Sequence, residues 1–143
     1  MAKSDPEALE RETGLKLMPK FDSNGLVTAV VTDTRTGLAL MLAYMNEEAL
    51  TLSVTTGEAH FYSRSRAEIW HKGGTSGNVL SIDEIRIDCD QDAIWVSATP
   101  TGHGAACHTG QKSCFYRRIV DKDGEIVLEH TGEKPLFDPK DVY

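Results

Sequence analysis

Three aspartates, Asp88, Asp90 and Asp92, alternate in the stretch DCDQD, with Cys89 between the first two. Apolar segments flank this stretch on both sides. On a β-strand, successive side chains point to opposite faces, and same-face neighbours lie about 6.6 Å apart. The three carboxylates would then share one face, and Cys89 and Gln91 the other. Short carboxylates at that spacing can converge on a hard cation such as Mg²⁺, which takes oxygen ligands and keeps some of its waters. Without a cation they repel, and each raises the pKa of the others. The opposite face offers a thiolate, which suits Zn²⁺ and not Mg²⁺. One strand can thus address two metals by hardness. The plainer alternative is a polar strand edge or bulged loop with its aspartates in water. An EF-hand fails, because no turn glycine follows Asp92.

The chain has three cysteines, an odd number, all between Cys89 and Cys114. That spacing favours metal binding over disulfide bridging. Cys107 and Cys114 bracket CHTGQKSC, and Cys89 makes a third thiolate. Three protein ligands with one open position is the pattern of a catalytic zinc. His108 completes a closed Cys₃His site in the alternative reading. Its adjacency to Cys107 makes joint ligation awkward, so it reads better as a nearby base. Thiolates donate charge heavily, and a water on such a zinc gains from a base. General base catalysis contributes about 10²–10⁴-fold. His71 is a second acid–base candidate.

A basic and hydroxyl-rich stretch lies upstream, SRSRAEIWHKGGTSGN. Ser63, Arg64, Ser65 and Arg66 are followed by Trp70, His71 and Lys72, then by a glycine-rich loop carrying Thr75 and Ser76. Arginine forks and loop amides suit a phosphate ester. The order is not that of a P-loop. The competing reading is a solvated charged turn. His60 reads as a partly buried strand residue, His103 as a partner near the cysteine loop, and Trp95 and Phe115 as core. HTGEKP, from His130, matches a zinc-finger linker, but the framework such fingers need is absent.

These residues must be positioned by a chain of 143 residues, enough for one domain with a real core. We expect a single domain over 1–143, with an N-terminal arm at 1–14 and a C-terminal tail at 130–143. The arm is solvated or forms a short helix. LVTAVVT and LALMLAYM around DTRTG read as a hairpin. Asn46 as N-cap, Glu47 and Glu48 in the first turn and Gly57 as stop predict a helix. AHFYS, VLSIDEIRID and AIWVSAT read as strands, and CFYRRIV and EIVLE around DKDG as a second hairpin. The expected class is α+β and strand-dominated, a mainly antiparallel sheet with one or two helices. The net charge of −7 disfavours nucleic acid and anionic membranes. The polar N-terminus lacks a signal h-region, and the longest apolar run is too short to span a bilayer, so a cytoplasmic location is expected.

Taken jointly, MNEEAL, FYSRSRAEIWHKGGTSGN, DCDQD and GAACHTGQKSCFYR resemble the phosphoribosyl-AMP cyclohydrolases of histidine biosynthesis, in the family's order and over roughly residues 14–120. Gly74 and Gln111 stand where that family often carries Glu and Arg. The resemblance implies hydrolytic opening of the adenine ring of 1-(5-phosphoribosyl)-AMP: water adds at C6 and the N1–C6 bond breaks. It also implies an interlocked homodimer using Zn²⁺ and Mg²⁺. Zinc would sit on Cys89, Cys107 and Cys114, shared across the interface, and magnesium on Asp88, Asp90 and Asp92. His108 and His71 are then the acid–base candidates. Ser63, Arg64, Ser65, Arg66, Trp70, Lys72, Thr75 and Ser76 are candidates for the phosphate-bearing substrate. Rival readings are a structural zinc module without catalysis and a Mg-dependent phosphohydrolase. A base deaminase is disfavoured, because its H-x-E and P-C-x-x-C are missing.

Overall fold

The computed structural model describes residues 5–142. Helix α1 (Pro6–Thr13) opens on Asp5, whose carboxylate accepts the Glu7 N–H, with proline in the first turn. Strands β1 (Val27–Asp33) and β2 (Ala39–Met45) form the expected hairpin, with Val27 opposite Met45. β1 alternates strictly between buried and half-buried positions, which turns Val27, Ala29 and Val31 into the core. Helix α2 (Glu47–Thr56) starts and stops where the sequence predicts. The Asn46 side chain accepts the Ala49 N–H at 2.8 Å, and Gly57 closes the helix in the left-handed region at φ 74°.

After α2 come β3 (His60–Ser63) and β4 (Glu68–His71), a tight antiparallel ribbon pairing His60 with His71 and Phe61 with Trp70. β4 is four residues long with no turn glycine before it, which is why periodicity misses it. β5 (Leu80–Ile87) and β6 (Ala93–Pro100) return the chain to the main sheet, ordered β2-β1-β6-β5. All its pairings are antiparallel except β1 with β6. A parallel pair needs a long crossover, and here α2 and the β3–β4 ribbon lie within it. Their apolar residues close the core: Ala49, Leu50 and Phe61 pack with Leu40, Met45, Leu80, Ile94 and Val96. Burying a side chain such as Phe61 contributes about 1.5–3 kcal/mol. β7 (Arg117–Lys122) and β8 (Glu125–His130) form a separate hairpin with Ile119, Ile126 and Leu128 exposed. Pro139–Asp141 make one 3₁₀ turn in the tail. No helix of the described residues is long and apolar enough to cross a membrane.

Three sequence expectations need correction. DCDQD does not continue the strand: β5 ends at Ile87, and residues 88–92 form the turn into β6. The cause is local. Asp88 Oδ1 accepts the N–H groups of Asp92 and Ala93, and Gln91 adopts a left-handed φ of 57°, which folds the segment back. Trp95 and Phe115 are not core either. Each is about half exposed, Trp95 on the outer sheet face with its indole N–H on Thr32 and its ring under Arg86.

Removing the α2 cap should cost stability without moving the sheet. Asn46→Ala is expected to lower unfolding stability by about 1 kcal/mol in urea titration.

Candidate functional site

A cleft of about 480 Å³ opens between the β3–β4 ribbon, the glycine loop and the cysteine loop. Arg66, Trp70, His71, Lys72, Thr75, Ser76, His108 and Cys114 line it. A shallower basin beside it is lined by Ser63, Arg64, Ser65 and Tyr44, and shares Arg66, Trp70 and His108 with the cleft. The fold therefore gathers every substrate-contact candidate and both histidine candidates onto one continuous surface.

The basic side chains are held, each in its own way. Ser63–Arg66 form the turn between β3 and β4, where the Ser63 hydroxyl accepts the Arg66 N–H and Nε–H, both at 3.3 Å. Arg64 stacks over Tyr44 at 4.2 Å. Lys72 is buried, its ammonium 5.5 Å from the Trp70 ring, and no carboxylate pairs with it among the described ion pairs. A buried cation without a carboxylate partner can take an anionic ligand. Gly73 permits the loop beyond it: its φ is 82°, and a Cβ there would meet the Asn78 backbone at 2.3 Å.

The cysteine loop is a small closed structure. Ala106 N–H donates to Lys112 C=O and Cys107 N–H to Gln111 C=O, so the loop folds on itself. Cys107 is buried, and its sulfur accepts the Thr109 hydroxyl at 3.0 Å. Cys114 N–H donates to Leu40 C=O at 2.7 Å, which fastens the loop to the edge of β2. Desolvation, together with the neighbouring charge and hydrogen bond of Cys107, pushes the Cys114 thiol up to about 12, against the opposing pull of Lys72. The tail reinforces this loop, since Leu136 N–H donates to Gly110 C=O at 2.7 Å. His103 bonds Asn78 and packs on Phe137.

The aspartate loop lies elsewhere. Ligand oxygens of Asp88, Asp90 and Asp92 lie within 4.8 Å of one another, and no other group of three metal-capable side chains does so among the described residues. Burial raises Asp88, but donations from Ala93 and Asp92 outweigh it, and its carboxyl sits below the usual range. Hydrogen bonds to Asp88 and Asp90, and their negative charge, raise Asp92. Three carboxylates crowded this closely fit a hard divalent cation. Gln91, expected on the Cys89 face, instead reaches the N-terminal arm: its amide accepts the Met18 N–H and donates to Arg11 and Lys16 carbonyls. Cys89 is exposed.

Cys89 and the Cys107–Cys114 pair are not brought together. The register puts the aspartate loop at the Ala93 end of β6, whereas Cys114 is bonded beside Leu40, level with Val31 and Val96. At about 3.3 Å per residue along strands and 4.8 Å between them, the loops are more than about 10 Å apart.

Sequence reading misses Glu58. Its Oε1 accepts His71 Nε2–H at 2.8 Å, while His71 stacks on His60 at 4.5 Å with only 9° between the rings. Only the pairing of β3 with β4 reveals this group.

The loop's other anchor is testable. Lys112 Nζ lies 3.1 Å from buried Asp33 at the end of β1. Burial raises Asp33, but the Arg35 N–H and the Lys112 bond and charge outweigh it, leaving it below its ordinary 3.8. Stability from this pair is complete above that value and lost as pH falls through the lower folded value. Asp33→Asn should cost about 1–2 kcal/mol at neutral pH. Thermal melts should show that cost shrinking as pH falls below 3.8.

The phosphoribosyl-AMP cyclohydrolase family model matches residues 41–116, which include β4 and both metal-capable loops. A phosphoribosyl-AMP cyclohydrolase of Agrobacterium fabrum is 54% identical over 142 residues, covering 99% of this chain and 93% of the relative. One of Sinorhizobium fredii is 54% identical over 134 residues, 94% and 88% of the two chains. One of Rhodopseudomonas palustris is 57% identical over 134 residues, 92% and 87%. The chain belongs to the phosphoribosyl-AMP cyclohydrolase family.

Proposed function

We propose that this member of the family hydrolyses the N1–C6 bond of the adenine ring of 1-(5-phosphoribosyl)-AMP, a step of histidine biosynthesis. The observation that carries the reading is the cleft that joins Arg66, Lys72, His71, His108 and Cys114 on one surface, with a second basic basin beside it. The substrate bears two phosphorylated ends, and the two basins offer one cationic wall to each. Arg66 and Lys72, with Thr75 and Ser76, take one phosphate; Ser63, Arg64 and Ser65 take the other. Trp70, between the basins, supplies a face for the purine.

Cys107 and Cys114 supply two thiolates of a zinc site, and Cys89 of a second copy supplies the third, because its own chain holds it too far away. Zinc bound there would polarise the attacking water. His108, on the same cleft, takes the proton of that water. Asp88, Asp90 and Asp92 hold magnesium. The working unit is thus a homodimer. Three unpaired thiols suit a reducing compartment, and we place the reaction in the cytoplasm.

The decisive experiment follows turnover of 1-(5-phosphoribosyl)-AMP by product absorbance. Protein stripped by chelator should regain activity only with Zn²⁺ and Mg²⁺ together, and Cys107→Ala should stay inactive with both. Folded, zinc-loaded protein without turnover contradicts the reading. Arg66→Ala should raise KM roughly 10-fold or more, since a charge-assisted bond contributes about 1.5–3 kcal/mol.

A further inference from the structure

Glu58 precedes β3 and is joined to the sheet only through a bridge to Ser81. Its carboxylate has only acceptor atoms, so the bond to His71 Nε2 fixes the proton on that nitrogen. The other ring nitrogen, Nδ1, lies beside Gly74, where a Cβ would come within 3.0 Å of it. His60, stacked against one face of the ring, limits its swing on that side. His60 is itself anchored: its Nδ1 lies 2.8 Å from the Glu58 carbonyl, and its backbone N–H and C=O both bond the Ser53 hydroxyl. One residue, Glu58, therefore holds both imidazoles, one through its side chain and one through its backbone. His71 also lines the cleft with Lys72, His108 and Cys114. The Glu58 and His71 side chains are 45% and 38% exposed, open enough for proton exchange yet held.

We propose that Glu58 is a positioning residue that orients His71 as the proton donor to the departing ring nitrogen. The inference rests on the ring-opening reading above. Counted from the neutral imino form of the substrate, one water is consumed. Its oxygen bonds to C6, and one of its protons goes to the exocyclic nitrogen. As the N1–C6 electron pair moves onto N1, the imidazolium of His71 gives its Nδ1 proton to N1. The hydroxyl proton of the tetrahedral carbon, released as the carbonyl forms, restores the imidazolium. Glu58 stays ionised throughout and keeps Nε2–H in place, as a carboxylate does behind any histidine that must work from its far nitrogen.

The test compares wild type, Glu58→Ala, Glu58→Gln and Gly74→Ala in steady-state kinetics and in imidazole ¹⁵N spectra. Glu58→Ala should lower kcat about 10- to 100-fold, less than the ~10²–10⁴-fold of a whole acid–base step, with KM nearly unchanged. Glu58→Gln, whose amide oxygen still accepts Nε2–H, should recover part of that loss. Gly74→Ala leaves Glu58 untouched but presses on Nδ1, and should lower kcat in the same way. Recorded at a pH high enough to leave the ring neutral after its Nδ1 proton is given up, the spectra should show His71 held as the Nε2–H tautomer in wild type and mixed in Glu58→Ala. Wild-type kcat in both Glu58→Ala and Gly74→Ala, or an unchanged tautomer in Glu58→Ala, overturns the role of Glu58. A wild-type protein with no turnover overturns the ring-opening reading, and this role with it, whatever the spectra show.

Discussion

Sulfurs on one zinc must lie under about 4 Å apart, given Zn–S bonds of about 2.3 Å. The parallel pairing of β1 with β6 holds the Cys89 turn about 10 Å or more from the Cys107–Cys114 loop of the same chain. It places the Asp88–Asp92 turn at one end of the main sheet, while Cys114 is bonded to the β2 edge several residues along and two strands across. The proposed zinc site on all three cysteines would draw them from two chains. The exposed apolar residues of the β7–β8 hairpin, Ile119, Ile126 and Leu128, are surface that such an assembly can cover.

The same crossover that creates the parallel pair also builds the cleft. α2 delivers the chain to β3, and Ser53 locks the two together through the His60 backbone. The β3–β4 ribbon then carries Arg66, Trp70, His71 and Lys72 past the cysteine loop. In a chain of net charge −7, Arg64, Arg66 and Lys72 still line this cleft and the basin beside it. Three aspartates crowd the other loop, in a space suited to a divalent cation.

Much of this was legible in the sequence, for identifiable reasons. The α2 boundaries follow from Asn46 and Gly57, whose roles are local. The β1–β2 hairpin follows from alternation, and the residue types of the two metal-capable loops name their chemistry directly. DCDQD was misread as strand because its period of two is a strand's period. Nothing in the letters shows that Asp88 folds back on the amides of Asp92 and Ala93. The sequence also could not show that Glu58 meets His71, since that contact depends on the register of a four-residue strand. Trp95 and Phe115 were expected inside from their size alone, and size does not say which sheet face is covered.

The most direct test of a site shared between two chains is subunit mixing. Cys89→Ser and Cys107→Ser proteins, each inactive alone, would be mixed, allowed to exchange subunits and assayed with both metals. A mixed dimer would hold one site in which every thiol is native and one in which two are lost. Random exchange should therefore restore about a quarter of wild-type activity. No recovery from a mixture shown to contain mixed dimers would mean that each zinc is bound within one chain, contradicting the geometry on which this assignment rests.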